Sequence, residues 1–275
     1  MNGDQGDASQ SLGDTRLGMA VADLWQGLRR RELWGVLGWH DIRQRYRRSV
    51  IGPFWLTIST AIMVGAMGLL YAQILRQEVS SYLPYLAVGL VVWGAISAMV
   101  NESCTAFTVA EQIIKQIRLP LTTHVCRLVW RNVIIFAHNA LILVAVVVWF
   151  GSVTPGDVLA ALGGVVLLFL TGIWGGLVIG ILCTRFRDVP PLVANLMQIA
   201  FFVTPILWHR EVLGGKSWLM EWNPVFHLIE IVRAPLIGHA LPGASYAFVA
   251  VMTLVGFLFA IGMLMRYRSR VPYWL

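Results

Sequence analysis

Residues 158–183 read VLAALGGVVLLFLTGIWGGLVIGILC, a run of 26 residues without a single charged side chain. A helix rises 1.5 Å per residue, so about 20 apolar residues cross the hydrocarbon core of a bilayer. Backbone groups inside lipid must be hydrogen-bonded within the protein. The run is therefore predicted to be a membrane-spanning helix, with lipid as its main solvent.

The whole chain has the same character. Of its 275 residues, 57% are hydrophobic and only 13% are charged, whereas an average soluble domain carries about 25% charged residues. That is too little charge to cover a water-facing surface, which excludes a soluble enzyme, a disordered protein and a coiled coil. Residues 53–275 are thus predicted to form an all-α integral membrane domain of six transmembrane helices. The five other spans are Pro53–Leu75, Leu83–Val100, Asn132–Phe150, Val189–Trp208 and Ala244–Met265.

Basic residues set the predicted orientation of these spans. Seventeen of the 21 Lys and Arg residues precede the first span, follow the last, or lie in the second–third and fourth–fifth connections. Because cytoplasmic segments are enriched in Lys and Arg, both termini are predicted to be cytoplasmic. The net charge of +7 belongs to this pattern, and no nucleic-acid partner is expected.

The first 52 residues divide into two predicted segments. Residues 1–28 are polar, contain four aspartates and have no apolar core, so they are predicted to be a disordered lead-in without a cleavable signal peptide. Residues 29–52 are predicted to hold a cytoplasmic helix in the membrane interface, with its arginines among lipid head groups. Its apolar side chains share an arc of about 120° on a helical wheel: Val36, Trp39, Ile42 and Tyr46.

Residues 109–119, VAEQIIKQIRL, form a second predicted amphipathic helix on the cytoplasmic side, and Pro120 closes it. Such a helix docks into a groove on a partner protein or lies on lipid, and the residues alone leave both readings open.

Residues 223–238, NPVFHLIEIVRAPLIG, are too short to cross a bilayer and carry Glu230 and Arg233 three positions apart. Pro224 and Pro235 bound the helical part. A re-entrant hairpin on the outer side is predicted, because a non-spanning segment at membrane depth must be buried in protein.

No catalytic or metal-binding motif is present in the sequence. The three cysteines form no CxxC pair, the six histidines make no HExxH motif, and the fourteen acidic residues are spread along the chain. Ion coupling normally uses ionisable groups at the midplane, and the spans offer only His138 and Glu102. We therefore expect no metal and no enzymatic activity. If the protein moves a substrate, a separate ATPase docked on residues 109–119 is one hypothesis for the energy source.

Four ordered segments resemble the polysaccharide-export permeases of the type-2 ABC class, most closely the O-antigen (Wzm-like) transmembrane subunits. The resemblance extends over about residues 30–275. The segments are LGWHDIRQRYRRSVIGPFWL (37–56), KQIRLP (115–120), RFRDVPPLVANLMQIAFFVTPILW (185–208) and WNPVFHLIEIVRAPLIG (222–238).

This resemblance implies a homodimer in a bacterial inner membrane, paired with two copies of a separate ATPase. ATP and Mg would bind that ATPase, and this chain would hold no cofactor. The implied cargo is a glycan attached to a polyprenyl pyrophosphate lipid. O-antigen is the first expectation, and capsule polysaccharide or teichoic acid is the next. The alternative is a membrane enzyme or an ion-coupled flippase that acts on polyprenyl-phosphate lipids.

Given the resemblance, two groups of residues on the cytoplasmic side have expected roles. The first would bind the lipid pyrophosphate where the cargo enters, since guanidinium groups pair bidentately with phosphate; the alternative is anchoring to anionic lipids. The second would contact the ATPase, although the residues of the 185–188 loop could instead anchor that loop. The first group is Arg43, Arg45, Tyr46, Arg47 and Arg48, and the second is Glu111, Ile114, Lys115, Arg118, Arg185, Arg187 and Asp188.

Two further groups have expected roles inside the membrane. Aromatic rings stack on sugars, so Trp55, Tyr71, Phe201 and Phe202 are candidate channel residues; the alternative is the aromatic belt at the membrane interface. Glycines at i, i+4 spacing allow another helix to approach closely, either within the subunit or from a second copy. These glycines are Gly172, Gly176 and Gly180.

Overall fold

The computed structural model describes residues 4–275 apart from 48, 50, 53, 118, 151 and 152, with side chains from residue 15 onward except 212, 213, 215–217 and 219. Within this part of the chain all regular structure is helical. The helices are α1 (Asp4–Arg29), α2 (Arg31–Arg45), α3 (Phe54–Ile74), α4 (Val79–Ser103), α5 (Glu111–Gln116), α6 (Leu121–Phe150), α7 (Pro155–Arg185), α8 (Val189–Val203), α9 (Pro224–Leu236), α10 (Gly243–Tyr267) and α11 (Val271–Trp274), with a 3₁₀ segment at Arg210–Trp222.

Among the described residues, five helices are long and apolar enough to cross a membrane: α3, α4, α6, α7 and α10. The protein is thus an all-helical integral membrane protein. We call the end of the bundle where α6 begins and α10 ends the basic end, and the other the opposite end. Helix α8, in the segment predicted as the fifth span, has 15 residues and rises only about 22 Å.

Helix α6 begins eleven residues before the predicted span, which was placed at Asn132–Phe150. The predicted span left Arg127 and Arg131 in the preceding connection. Both side chains are paired with carboxylates of other helices. The helix therefore includes both arginines and begins directly after Pro120.

The core is built around α4, which packs against α3, α6, α7 and α9. Helix α9 is enclosed on most of its surface, with nine buried residues of 13. It is a single helix in the segment predicted as a re-entrant hairpin, and it packs against α4, α7 and α10. By contrast, α8 has no buried residue, and α3 is largely exposed in the single chain.

The three glycines of α7 bring that helix close to α4 and α6 within one subunit. A Cβ added at Gly172 would lie 2.6 Å from Sδ of Met99, and one at Gly176 would lie 2.7 Å from Cγ1 of Val125. At Gly180 the added atom would come within 2.9 Å of an aromatic ring carbon. All three distances are shorter than van der Waals contact.

Within the segment predicted to be a disordered lead-in, α1 covers Asp4–Arg29 and packs against α6 and α10, while residues 1–3 lie outside the described residues. Asp23, fully buried, accepts hydrogen bonds from the backbone N–H groups of Leu121 and Thr122, both at 3.1 Å. Arg268 donates to the same carboxylate at 2.8 Å. These partners lie about 98 and 245 positions away in sequence, so local composition gave no sign of them.

Candidate functional site

A network of ion pairs joins three helices at the basic end. Asp41 of α2 accepts hydrogen bonds from Arg127 (Nε to Oδ2, 2.7 Å) and Arg131 (Nη1 to Oδ2, 3.2 Å), both on α6. Arg131 also donates to Glu102 of α4 (Nη2 to Oε2, 2.7 Å), and Arg45 reaches the same carboxylate at 3.4 Å. These five residues, the basic-end network, tie α2 to α4 and α6.

The network carries three guanidinium groups and two carboxylates, so it has one excess positive charge. Burial raises the pKa of Asp41, but its bonds to Arg127 and Arg131 outweigh burial and hold the pKa below the ordinary value of 3.8. The Asp41, Arg127 and Arg131 side chains are only 12–19% exposed, so water screens their attraction less than it does at a free surface. Asp41 therefore keeps its charge at neutral pH.

A polar cavity of about 250 Å³ lies beside this network. Its wall includes Thr105, the backbone turn leading to α5, and His124 of α6. His124 is 3% exposed, and both of its ring nitrogens lack a hydrogen-bond partner among the described residues. A cavity of this size and polarity has room for water, which usually satisfies such groups. It separates α2 from the segment that carries α5.

Helix α5 lies within the predicted 109–119 helix but is only six residues long. Glu111 and Lys115 form an i, i+4 ion pair of 2.6 Å on its exposed face. Ile114 packs against the core, and α11 contacts α5 from the C-terminal side. The short helix is thus held on one face and presents charged groups on the other.

The residues expected to meet the lipid pyrophosphate lie where α2 ends. Arg43, Arg45 and Arg47 are exposed, and Tyr46 is half-buried. Burial raises the pKa of the Tyr46 hydroxyl, so it stays protonated and can donate a hydrogen bond. Arg45 is the member that also joins the basic-end network. Two predicted residues, Arg48 and Arg118, lie outside the described residues.

The 185–188 loop also lies at the basic end. The guanidinium of Arg185 lies 5.2 Å from the Trp274 ring centre and 5.8 Å from that of Phe186. Arg187 and Asp188 are exposed. Arg185 therefore connects the end of α7 to α11, whereas its two predicted companions are open to a partner.

The four candidate channel aromatics are not brought together by one chain. Trp55 and Tyr71 lie at opposite ends of α3, roughly 24 Å apart at 1.5 Å per residue. Phe201 and Phe202 are edge-to-face neighbours on α8, with ring centres 5.3 Å apart. Trp55 and Phe202 are exposed, while Tyr71 and Phe201 are half-buried.

The predicted pair Glu230 and Arg233 forms a compact buried cluster at the opposite end. Arg233 donates to Glu230 at 2.7 Å and to the Pro205 carbonyl at 2.7 Å, and it is 2% exposed. Its guanidinium lies 3.9 Å from the Tyr85 ring centre, and the Tyr85 hydroxyl donates to the same carbonyl at 2.8 Å. This opposite-end cluster fastens α9 to α4 and to the chain after α8.

Sequence reasoning did not assign Asp41, Arg127 or Arg131 to a site. The available signal was two arginines four positions apart at the start of an apolar helix, where they face the same side. Among the described residues, no three His, Cys, Asp or Glu side chains are grouped to hold a metal ion.

The structure is that of a helical membrane protein whose charges gather at one end, and comparison with known proteins agrees with it. Residues 32–237 match the family described as ABC-2 type transporter. The chain belongs to the ABC-2 transporter family. The match runs from α2 to the end of α9 and therefore includes the basic-end network, α5 and the opposite-end cluster. Within this family the chain is a membrane component of a transporter.

Curated relatives of similar length include two bacterial permeases. The chain is 24% identical over 227 residues to an "O-antigen export system permease protein RfbA" of Klebsiella pneumoniae, covering 80% of this chain and 85% of that one. It is 23% identical over 209 residues to a protein of the same name from Myxococcus xanthus, covering 74% and 80%. The similarity thus runs along most of both molecules.

Proposed function

We propose that this chain is the membrane-spanning subunit of an ATP-driven exporter that carries a polyprenyl-pyrophosphate-linked polysaccharide, O-antigen, across a bacterial inner membrane. The observation that carries the proposal is the family match over residues 32–237, joined to similarity along most of the length of permeases named for O-antigen export. No catalytic residue is assigned to the chain, because its role is transport.

In this proposal each subunit crosses the membrane six times, with α8 as the shortest span and both termini in the cytoplasm. The basic end then faces the cytoplasm, in keeping with the enrichment of Lys and Arg there. Helix α2 lies in the inner interface, and α9 forms the inner arm of an outer re-entrant segment. Two copies of the chain enclose the path, and their α3 and α8 aromatics line it.

The energy would come from two copies of a separate ATPase, which holds ATP and Mg. Helix α5 would be its main contact, because its charged face is free and its other face is fixed to the core. Arg43, Arg45, Arg47 and Arg48 would attract the pyrophosphate, and Tyr46 would donate a hydrogen bond. The basic-end network would link the pyrophosphate site to the ATPase contact, since Arg45 shares Glu102 with Arg131.

The test is purification of the tagged chain from its native membrane in mild detergent, together with an export assay in a permease-deletion strain. We expect one ATPase per permease and restored surface polysaccharide. A stable preparation without ATPase, or export that depends on a proton gradient and not on ATP, would contradict the proposal.

A second experiment tests the lipid-binding role. Arg47→Ala combined with Arg48→Ala is expected to lower export while leaving the bound ATPase unchanged. Loss of ATPase from this double variant would assign the two arginines to the ATPase contact instead.

A further inference from the structure

A large cleft opens at the basic end among three parts of the chain that are distant in sequence. Its volume is about 970 Å³, and its walls come from α1, from α5 with the turn that follows it, and from the segment between α10 and α11. Buried Ala20, Leu121 and Leu264 form its floor. The cleft therefore exists only because α1 is folded against the ends of α6 and α10.

The cleft is strongly basic. Six cationic side chains line it, and none of its described lining residues is acidic. Two of the six are already neutralised locally, since Arg268 pairs with Asp23 and Lys115 pairs with Glu111. The other four have no carboxylate partner among the described side chains, and they are Arg16, Arg30, Arg266 and Arg270.

Cations gathered in one concave surface repel one another and focus a positive potential into the space between them. Guanidinium groups are also less strongly hydrated than ammonium groups and offer a planar fork that fits carboxylates. The arrangement therefore favours an occupant that carries several negative charges.

The rim adds an apolar component. Met19, Ile117 and Tyr273 line the cleft and are 50%, 55% and 88% exposed. A single phosphate group would fill a small part of this volume and leave these side chains in water. A peptide segment that combines carboxylates with apolar side chains would match both the charge and the rim.

The position of the cleft points to one source for such a segment. Ile114 and Lys115 of α5 belong to its wall, and Lys115 also belongs to the exposed face that would contact the ATPase under the proposed function. A subunit seated on α5 would therefore cover the mouth of the cleft.

We infer that the cleft receives an acidic segment of the ATPase subunit, so that α1 and the C-terminal segment extend the contact made by α5. This inference rests on the proposed function. The binding is electrostatic in part, so salt weakens it. Helix α1 thereby becomes part of the ATPase contact, in addition to its packing role.

Charge reversal tests the inference in the full complex. Arg16→Glu combined with Arg270→Glu places two carboxylates in the cleft, and juxtaposed like charges are strongly unfavourable. We expect about a tenfold loss in the apparent affinity of the purified ATPase for the permease, with weaker dependence on NaCl concentration. Arg29→Glu is the matched control, because Arg29 is exposed on α1 and does not line the cleft.

A zero-length cross-link identifies the contact directly. Arg30→Lys introduces an amine into the cleft, and carbodiimide would couple it to a neighbouring carboxylate. We expect an amide to an Asp or Glu of the ATPase, read by mass spectrometry, and none from Arg29→Lys, one position away and outside the cleft.

The outcomes separate the two proposals. If the wild-type chain brings down no ATPase, the proposed function fails. If wild type binds but the doubly reversed variant binds equally well, only the cleft assignment fails. If the variant instead loses co-purified anionic phospholipid and keeps its ATPase, the cleft is a lipid site and the inference is overturned. The variant with Arg16→Gln and Arg270→Gln controls for a folding defect. Its affinity for the ATPase is expected to lie between those of the wild type and the reversed variant.

Discussion

The two ends of the helix bundle hold buried charge in different ways. At the opposite end, Arg233 is 2% exposed, its ion-pair partner is three residues away, and a carbonyl and an aromatic ring complete its surroundings. In the basic-end network every pair connects different helices, and its side chains are 12–47% exposed. The first arrangement fixes one helix in place. The second connects three helices through contacts that water can reach, in keeping with the ATPase contact of the proposed function.

The largest effect is expected from removing the centre of the opposite-end cluster. Arg233→Ala removes a buried side chain and leaves Glu230, which is 18% exposed, without its cation; this should lower the free energy of unfolding by about 3–5 kcal/mol. Thermal unfolding in detergent, followed by size-exclusion fluorescence, measures it. Glu230→Gln keeps an acceptor for Arg233 and should cost less. Equal stability of Arg233→Ala and wild type would show that the cluster is not a structural anchor.

A neighbouring glycine tests how closely α9 is held at that end. A Cβ at Gly164 of α7 would collide with the backbone carbonyl of Ile231, whereas one at Gly163 would meet nothing within 4 Å. Gly164→Ala is therefore expected to destabilise the protein by about 1–3 kcal/mol through overpacking, and Gly163→Ala is expected to have no destabilising effect. Equal melting temperatures for the two variants would mean that α9 can shift freely.

Asp41→Asn tests whether the basic-end network stabilises the fold less than the opposite-end cluster does. The change removes the charge shared by Arg127 and Arg131 and should cost about 1.5–3 kcal/mol, the usual value for hydrogen bonds to charged groups. Hydrogen exchange should show faster exchange in α2 while α9 stays protected. Glu32→Gln, an exposed site on the same helix, is the control. Faster exchange throughout the molecule would remove the distinction between the two ends.

Arg45 should separate stability from transport. Its pair with Glu102 is long, at 3.4 Å, and its side chain is 47% exposed, so Arg45→Ala should change stability by less than about 0.5 kcal/mol. Export should nevertheless fall, because the residue has a proposed role toward the lipid pyrophosphate. Full export by a stable variant would leave only the weak ion pair as its role.

Mild acid should have the smallest effect on the network. The pKa of Asp41 is below its ordinary value of 3.8 in the folded protein, so its contribution to stability is fully present above 3.8. It is lost only as the pH falls through the lower folded pKa. Exchange protection of α2 should therefore be constant between about pH 7 and pH 5. Loss of protection within that range in wild type would mean that Asp41 is not held by its arginines.

Much of the fold could be predicted because apolar runs and their lengths are local properties of the sequence. The run at 158–183 lies within α7, and the 109–119 segment contains α5. The segment at 223–238 holds a helix with Glu230 and Arg233 together, as their three-residue spacing indicates. Contacts that depend on tertiary structure could not be predicted in this way.

The contacts missed from sequence share one physical cause. Asp41 lies 86 residues from Arg127, and Asp23 lies 98 residues from Leu121. A charged residue that seems unsuitable for a span, or a polar segment that seems disordered, can belong to a packed helix when a residue distant in sequence pairs with its charge. The start of α6 and the fold of α1 were both missed for this reason.

The site of Asp23 has a consequence for how the chain is made. Its carboxylate completes the first turn of α6, yet one of its partners, Arg268, lies directly after α10. Arg268 follows α3, α4, α6, α7 and α10 in the sequence, so the ribosome reaches it only after these helices have been synthesised. Until then the aspartate lacks its cation. Helix α1 therefore reaches its final bonded state only after α10 has been made, and one carboxylate joins these two parts of the chain.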